Sequence, residues 1–184
     1  MQSVLAAVVA ALTLAYYAPS AHAMLCGRAG GEMHWPSRLA MYAAYGLFFA
    51  ALASGLPAFG PPGPLNYLGA IPAIAGVWLH YLSVRGLGGS YSAGIAFSKK
   101  PRLVTTGVYS IARHPLYSAA ALFFLGMAIL LLSPVLAAAY ALVLAYLAYR
   151  VSVEESALRK KFGKAYAQYS GRVPATVFGW ALRR

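Results

Sequence analysis

Five apolar stretches, each close to the length that crosses a bilayer, constrain the fold of this sequence more than any other feature. They cover residues 4–25, 39–59, 65–84, 116–132 and 135–151. A membrane-spanning helix needs about 20 apolar residues. Only 10% of the residues are charged, whereas soluble domains carry about 25%. We therefore predict an all-α integral membrane bundle of about five transmembrane helices, forming one domain over residues 1–184.

The first apolar stretch has two interpretations. The sequence Ala21-His22-Ala23 resembles a signal-peptidase site, and a cleaved leader would leave four spans. However, the chain begins Met1-Gln2-Ser3 without a positive charge, and the apolar run is long for a leader. We expect residues 1–23 to be retained as a helix.

The basic residues lie in alternate loops, and this predicts the orientation. They occupy segments 26–38, 85–114 and 150–184, whereas loops 60–64 and 133–134 carry no charge. By the positive-inside rule, the N-terminus faces out, and the C-terminus and the site described below are cytoplasmic. The net charge of +12 then reflects topology and contact with anionic membrane lipids. Nucleic acid is not an expected partner, because no nucleic-acid motif stands apart from the spans.

A polar segment just before the fourth apolar stretch suggests a binding site. Arg113-His114-Pro115 opens that stretch, and proline favours the first turn of a helix. The positive end of the helix would face the cytoplasmic boundary, where a carboxylate or phosphate can bind, and Arg113 offers a bidentate fork. The structural alternative is a snorkelling arginine beside a helix-capping histidine, and the sequence alone leaves both open.

A pair of acids follows the fifth apolar stretch. Glu154 and Glu155 are two of only three acidic residues in the chain. Ion pairs with Arg150 and Arg159, each four residues away, would give them a structural role. A pair of carboxylates beside a membrane instead favours a site, where they can receive ribose hydroxyls or the α-ammonium of a cofactor. Ser133-Pro134 is the only break between the last two stretches, so a tight hairpin would bring the acids to Arg113 and His114.

Other site chemistries have less support. One cysteine, Cys26, and four scattered histidines provide no metal-ligand spacing, so we expect no metal. His80, within the third stretch, fits a packing role better than a catalytic one.

Three segments together resemble the isoprenylcysteine carboxyl methyltransferases and phospholipid methyltransferases. Gly107 to Tyr117 is similar to that family's G-x-Y-x-x-x-R-H-P-x-Y pattern. The run from Glu154 to Tyr169 is similar to its E-E-x-x-L-x-x-x-F-G-x-x-Y-x-x-Y pattern. Leu87-Gly88-Gly89-Ser90-Tyr91-Ser92 resembles its L-G-x-x-[FY]-S. The resemblance covers about residues 75–174, which would form the catalytic core.

The resemblance implies S-adenosylmethionine as the methyl donor, held between the two polar segments. By position, it implies cofactor contacts from Gly107, Tyr109, His114, Pro115, Leu116, Tyr117, Glu154 and Glu155. It implies catalytic roles for Arg113, His114 and Glu155, with Arg172 as a secondary candidate. Arg113 would orient the carboxylate of the acceptor or of the cofactor. The sequence departs from the family after Val173-Pro174, where Ala175 replaces the usual basic residue, and this region borders the acceptor side.

The implied function is methyl transfer to a lipophilic acceptor in the membrane, with the carboxylate of an isoprenylcysteine-like thioether as the expected nucleophile. A phospholipid amine is the alternative acceptor. An NADPH-dependent sterol or enone reductase, which carries a related R-H-x-x-Y core, is the alternative enzyme. A lipid-binding scaffold is the non-enzymatic alternative, and it predicts that alanine at His114 or Glu155 leaves function untouched.

Overall fold

The computed structural model describes residues 2–25, 45–50, 63–91 and 102–179, and every regular element in these ranges is helical. The helices are α1 (Gln2–Leu25), α2 (residues 45–50), α3 (Ala70–Leu87), α4 (Pro115–Leu131) and α5 (Pro134–Arg172). Short 3₁₀ helices cover Pro64–Gly69, Gly88–Ser90 and Gly107–Ser110. The prediction of an all-α fold is confirmed.

Three of these helices are long and apolar enough to cross a membrane, namely Val4–Ala23, Pro64–Leu87 and Pro134–Arg172. The apolar helix α4 is shorter. Four predicted spans therefore correspond to α1, α3, α4 and the first half of α5. The second predicted span, 39–59, lies outside the described residues except for α2, as do the basic segments 26–38 and 92–101. The chain is an integral membrane protein, and its orientation stays a prediction.

Helix α5 is longer than the sequence predicts. Its apolar part ends near residue 151, as expected, but the helix continues to Arg172 and bends at Gly163, where φ is 49°. About 20 residues suffice to cross a bilayer, so a helix of 39 residues extends well beyond it. Glu154, Glu155 and the residues after them belong to this extension.

Helix α4 is the centre of the bundle, and residues from α1 and α5 pack around it. Tyr16 of α1 stacks on Phe123 with ring centroids 4.1 Å apart. Leu136 and Val143 of α5 are buried in the same cluster. Burial of apolar side chains on most faces of α4 fixes the position of its N-terminal end, where Arg113-His114-Pro115 lies.

Glycines allow α3 and α4 to approach closely. A Cβ atom at Gly126 would lie 2.5 Å from the Ala73 nitrogen and 2.6 Å from the Gly69 oxygen. A Cβ atom at Gly76 would lie 2.7 Å from the Phe123 nitrogen. Small residues at such crossings let helix backbones touch inside a membrane. This contact places the start of α4 beside the end of α3.

Gly126→Ala is expected to destabilise the protein, because the added methyl would meet backbone atoms that cannot move away. Overpacking of this kind costs about 1–3 kcal/mol, which should lower the thermal midpoint in detergent by several degrees. Gly171→Ala is the matched control, because a Cβ there meets nothing within 4 Å. Equal thermal midpoints for the two variants would contradict the close α3–α4 contact.

A short polar network joins α1 to α3. The Tyr91 hydroxyl donates to Ser20 Oγ at 2.8 Å, and Ser20 Oγ lies 2.8 Å from His80 Nε2. His80 is buried and lies against the Tyr16 ring at 4.4 Å. These contacts agree with a packing role for His80. Retention of residues 1–23 stays a prediction.

Candidate active site

The Arg113-His114-Pro115 segment is held by backbone hydrogen bonds to the chain's C-terminal part. Pro115 starts α4 with its fixed φ, and His114 is the N-cap residue, with φ −121° and ψ 61°. The Arg113 N–H donates to the Pro174 carbonyl at 2.9 Å, and the His114 N–H donates to the Ala175 carbonyl at 2.8 Å. These two hydrogen bonds fix the backbone of the segment. The backbone in turn sets the directions of the side chains.

The α4–α5 hairpin brings the two polar segments together. Leu132, with φ 42°, ends α4 in the left-handed conformation, and Ser133 precedes Pro134 as the N-cap of α5. The connection between α4 and α5 is therefore short, and α5 returns along α4. This return places Glu154 and Glu155 beside His114 and Tyr117, as the sequence predicts.

Arg113 and Glu155 form the strongest ion pair of the site. Arg113 Nε donates to Glu155 Oε1 at 2.9 Å, and Nη2 contacts the same oxygen. Arg113 Nη1 donates to the Ser170 carbonyl at 2.9 Å and to the Val173 carbonyl. The arginine is only 6% exposed. Its donors are therefore engaged in joining the start of α4 to the end of α5.

The environment of Glu155 keeps it ionised. Burial alone would raise the pKa of this carboxyl, but the His114 ring and the Arg113 guanidinium outweigh burial and lower the pKa to about 2. Arg159, which is exposed, adds a contact at 3.4 Å from the other carboxylate oxygen. Glu155 is therefore a carboxylate at neutral pH, as an ion-pair partner of Arg113 must be.

His114 lies between the two acids. Its Nε2 is 3.4 Å from Glu155 Oε1, and its Nδ1 is 3.8 Å from Glu154 Oε2. The imidazole ring stacks on Tyr117 at 5.6 Å, with 17° between the planes. The ring is nearly fully buried. His114 therefore lies near both glutamates, in addition to the direct contacts of Arg113 with Glu155 and of Tyr117 with Glu154.

Tyr117 connects Glu154 to Arg150. The tyrosine hydroxyl donates to Glu154 Oε2 at 2.5 Å. Arg150 donates to the same hydroxyl oxygen from Nε at 3.2 Å and from Nη2 at 3.1 Å. The sequence predicts Arg150 only as a direct partner of Glu154 and as part of the basic tail. Its four-residue offset from Glu154 was the available signal, because that spacing puts both on one face of α5.

Tyr109 packs at the edge of the cluster. Its hydroxyl donates to the Ser83 carbonyl at 3.3 Å, and its own carbonyl accepts from Tyr169 Oη at 2.5 Å. Burial, with a smaller contribution from Glu154, raises the pKa of Tyr109 well above its ordinary value. Tyr109 thus stays a neutral hydroxyl that ties α3 to α5.

Three predicted site residues lie apart from the carboxylates. The Leu116 side chain packs towards Val84 and Tyr91. Gly107, with φ 62°, makes the turn that begins the 3₁₀ helix. Arg172 is exposed at the end of α5, and no contact within the described residues joins it to the cluster. Pro115 is buried and shapes the backbone.

Buried polar atoms without partners concentrate at this cluster. Within the described ranges they are His114 Nε2, Arg150 Nη1, Tyr166 Oη and, away from the cluster, His80 Nδ1. Tyr166 belongs with the first two, because Glu155, Arg113 and Glu154 are its charged neighbours, although burial makes the largest contribution to its raised pKa. Buried polar groups are normally hydrogen-bonded. Three such atoms around two carboxylates leave hydrogen-bonding capacity that a polar ligand can satisfy.

Comparison with known proteins identifies the family. A model of the phospholipid methyltransferase family matches residues 65–165. The chain belongs to the phospholipid methyltransferase family. The matched range contains α3, α4, the hairpin and both glutamates. It ends before Tyr166.

One relative of this chain is protein-S-isoprenylcysteine O-methyltransferase B of Arabidopsis thaliana. It is 42% identical over 77 residues, which are 41% of this chain and 39% of the relative. A probable protein-S-isoprenylcysteine O-methyltransferase of Oryza sativa subsp. indica is 32% identical over 112 residues, 59% of each chain. The chain thus spans less than two thirds of the length of these relatives.

A solved structure shares the fold. The eukaryotic intramembrane Ras methyltransferase ICMT (isoprenylcysteine carboxyl methyltransferase) superposes with a TM-score of 0.59 at 22% sequence identity. The match covers 83% of this chain and 54% of the other. The family member described here therefore has a membrane fold of this type.

Proposed function

We propose that this chain transfers a methyl group from S-adenosylmethionine to the carboxylate of a lipophilic, isoprenylcysteine-like thioether in the membrane. Three buried polar atoms around two glutamates, none with a hydrogen-bond partner in the described part of the chain, carry this proposal. The family and the names of the relatives support it. The site would face the cytoplasm, with the N-terminus outside and the C-terminus inside.

The donor groups at the site fit this cofactor. Glu154 is 31% exposed and uses one oxygen for Tyr117, so the carboxylate keeps acceptor capacity for ribose hydroxyls or an ammonium group. His114 Nε2 and Tyr166 Oη are buried polar atoms whose hydrogen-bonding capacity is not used within the described residues, so a bound molecule can supply their partner. S-adenosylmethionine, when bound, supplies a methyl group that a positively charged sulfur has already activated.

The chain's residues need only bind, orient and exclude water. A carboxylate acceptor is already nucleophilic at neutral pH, so the reaction requires no general base. Alignment of two bound reactants can supply much of the rate enhancement, and closure of the site against water adds to it. We assign Arg113 a positioning role, because its donors hold Glu155 and the carbonyls of Ser170 and Val173.

A phospholipid amine is the second candidate acceptor, and the matching family model is named for that chemistry. Such an ammonium group must lose a proton before it can attack, so it needs a base that a carboxylate acceptor does not need.

Methyl transfer to both acceptors can be measured with purified protein and methyl-labelled S-adenosylmethionine. One reaction contains N-acetyl-S-farnesyl-cysteine, and the other contains phosphatidylethanolamine vesicles. We expect a base-labile methyl ester on the farnesylated acid and no labelled lipid. Labelled phosphatidylethanolamine without methyl ester would replace the proposed acceptor with the amine.

A further inference from the structure

Arg150 is the buried charge that the proposed mechanism leaves unused. It lies in the last turn of the apolar part of α5, is 4% exposed, and is one turn before Glu154. An ionised side chain at such a depth is costly unless it is paired. In this structure Arg150 has no direct carboxylate partner among the described residues.

Two of the three guanidinium nitrogens of Arg150 make hydrogen bonds, and the third, Nη1, makes none within the described residues. Nε and Nη2 both donate to Tyr117 Oη, whose own proton goes to Glu154. The guanidinium carbon is 5.9 Å from the Tyr117 ring centroid. The Nη1 group is buried and has no hydrogen-bond partner in the described part of the chain. Tyr117 therefore fixes the orientation of the Arg150 guanidinium, and the Nη1 group can donate to an anionic oxygen.

The position of Arg150 favours the acceptor over the cofactor. Four residues of helix correspond to about 6 Å, so the Arg150 backbone lies that much farther into the apolar part of α5 than the Glu154 backbone, although both side chains meet at Tyr117 Oη. Its neighbours on that side are Leu147 and Tyr146, which are both buried. The Tyr146 ring meets Tyr45 edge-on at 5.5 Å, and the Tyr146 hydroxyl interacts with the Arg150 guanidinium. A soluble cofactor approaches from the charged extension of α5, whereas a lipophilic acceptor approaches from the apolar side.

Arg113 is less suited to this task, although its residue type is the same. Its three nitrogens already donate to Glu155, Ser170 and Val173. Binding a substrate carboxylate would break contacts that hold the ends of α4 and α5 together. Arg150 can donate to such a group from Nη1 while Nε and Nη2 keep their hydrogen bonds to Tyr117 Oη.

We infer that Arg150 binds the carboxylate of the lipophilic acceptor through Nη1 and thereby selects acids over uncharged analogues. The inference rests on the proposed function, because it names the group that recognises its substrate. The interaction is a charge-assisted hydrogen bond, the strong class of such bonds in proteins. No proton transfer to or from Arg150 is involved.

The test compares binding of N-acetyl-S-farnesyl-cysteine and its carboxamide to wild-type, Arg150→Gln and Arg150→Lys proteins saturated with S-adenosylhomocysteine. Wild type should prefer the acid. Arg150→Gln should weaken acid binding by about 10- to 100-fold and leave carboxamide binding unchanged. Arg150→Lys should lie between, because it keeps the charge and loses the fork. Arg85→Gln, at an exposed arginine of α3, is the matched control and should behave as wild type.

Two results would overturn the inference. One is an unchanged acid-to-carboxamide preference in both Arg150 variants. The other is a loss of S-adenosylhomocysteine affinity as large as the loss of acid affinity, which would assign Arg150 to the cofactor or to the fold. If Arg150→Gln is not recovered folded, Arg150→Lys alone decides. Failure of the proposed function looks different, because wild type would then not methylate the acid at all.

Discussion

Replacing Glu155 with glutamine is expected to remove methyl transfer below detection and to weaken S-adenosylhomocysteine binding by at least about tenfold. Glu155 is the direct partner of Arg113, which also holds the carbonyls of Ser170 and Val173. Loss of the negative charge leaves a buried guanidinium without its counter-ion, a change that costs about 3–5 kcal/mol in buried pairs. The start of α4 and the end of α5 should then separate around the cofactor site. Calorimetric titration and a labelled-methyl assay measure the two effects.

Arg159→Ala is the control for this experiment. Arg159 contacts the same carboxylate at 3.4 Å, but its side chain is 52% exposed. Exposed pairs contribute about 0–1 kcal/mol, so this variant should bind S-adenosylhomocysteine within about twofold of wild type. Wild-type affinity in Glu155→Gln would refute the role of Glu155.

Replacing His114 with alanine is expected to lower turnover by at least about 100-fold while the protein still folds. The structural contribution of this residue comes mainly from its backbone, because the His114 N–H donates to the Ala175 carbonyl and alanine keeps that bond. The ring, in contrast, lies between Glu154 and Glu155, and its buried Nε2 makes no hydrogen bond within the described residues. Misplacement of reacting groups by about 1 Å can cost 10²-fold in rate. Turnover and the thermal midpoint in detergent separate the two contributions.

Ser110→Ala is the matched control for His114→Ala, because Ser110 lies in the same segment, is exposed, and among the described residues its hydroxyl donates to the nearby Gly107 carbonyl. It should retain full activity. Wild-type turnover in His114→Ala would instead favour the scaffold interpretation, in which the polar segment has no catalytic role.

The hairpin and the juxtaposition of the two polar segments could be predicted from sequence. Ser133-Pro134 breaks two apolar runs of similar length, and any such hairpin must bring the residues before one run near those after the other. The predicted hairpin brings Glu154 and Glu155 to Arg113 and His114, as the structure does. Hydropathy also located α1, α3, α4 and the start of α5, because the bilayer fixes the length of a span.

Other features of the molecule depend on information that hydropathy does not contain. Hydropathy does not predict the continuation of α5 to Arg172, because the second half of this helix is charged and gives no apolar signal. The contact of Gly69, Gly76 and Gly126 is missed because glycine within an apolar run does not reveal which face meets a neighbour. Arg150 is grouped with the basic tail, because only the fold shows that its side chain points inward. The engagement of Arg113 with Ser170 and Val173 is tertiary and has no local pattern.

The most direct test of the account is titration of the detergent-purified protein with S-adenosylhomocysteine, with NADPH as the parallel ligand. The account predicts micromolar binding of the first and none of the second, since the site offers carboxylates and buried polar atoms to an adenosyl amino acid. Binding of NADPH alone would contradict it in favour of a reductase. Binding of neither would contradict it in favour of a scaffold.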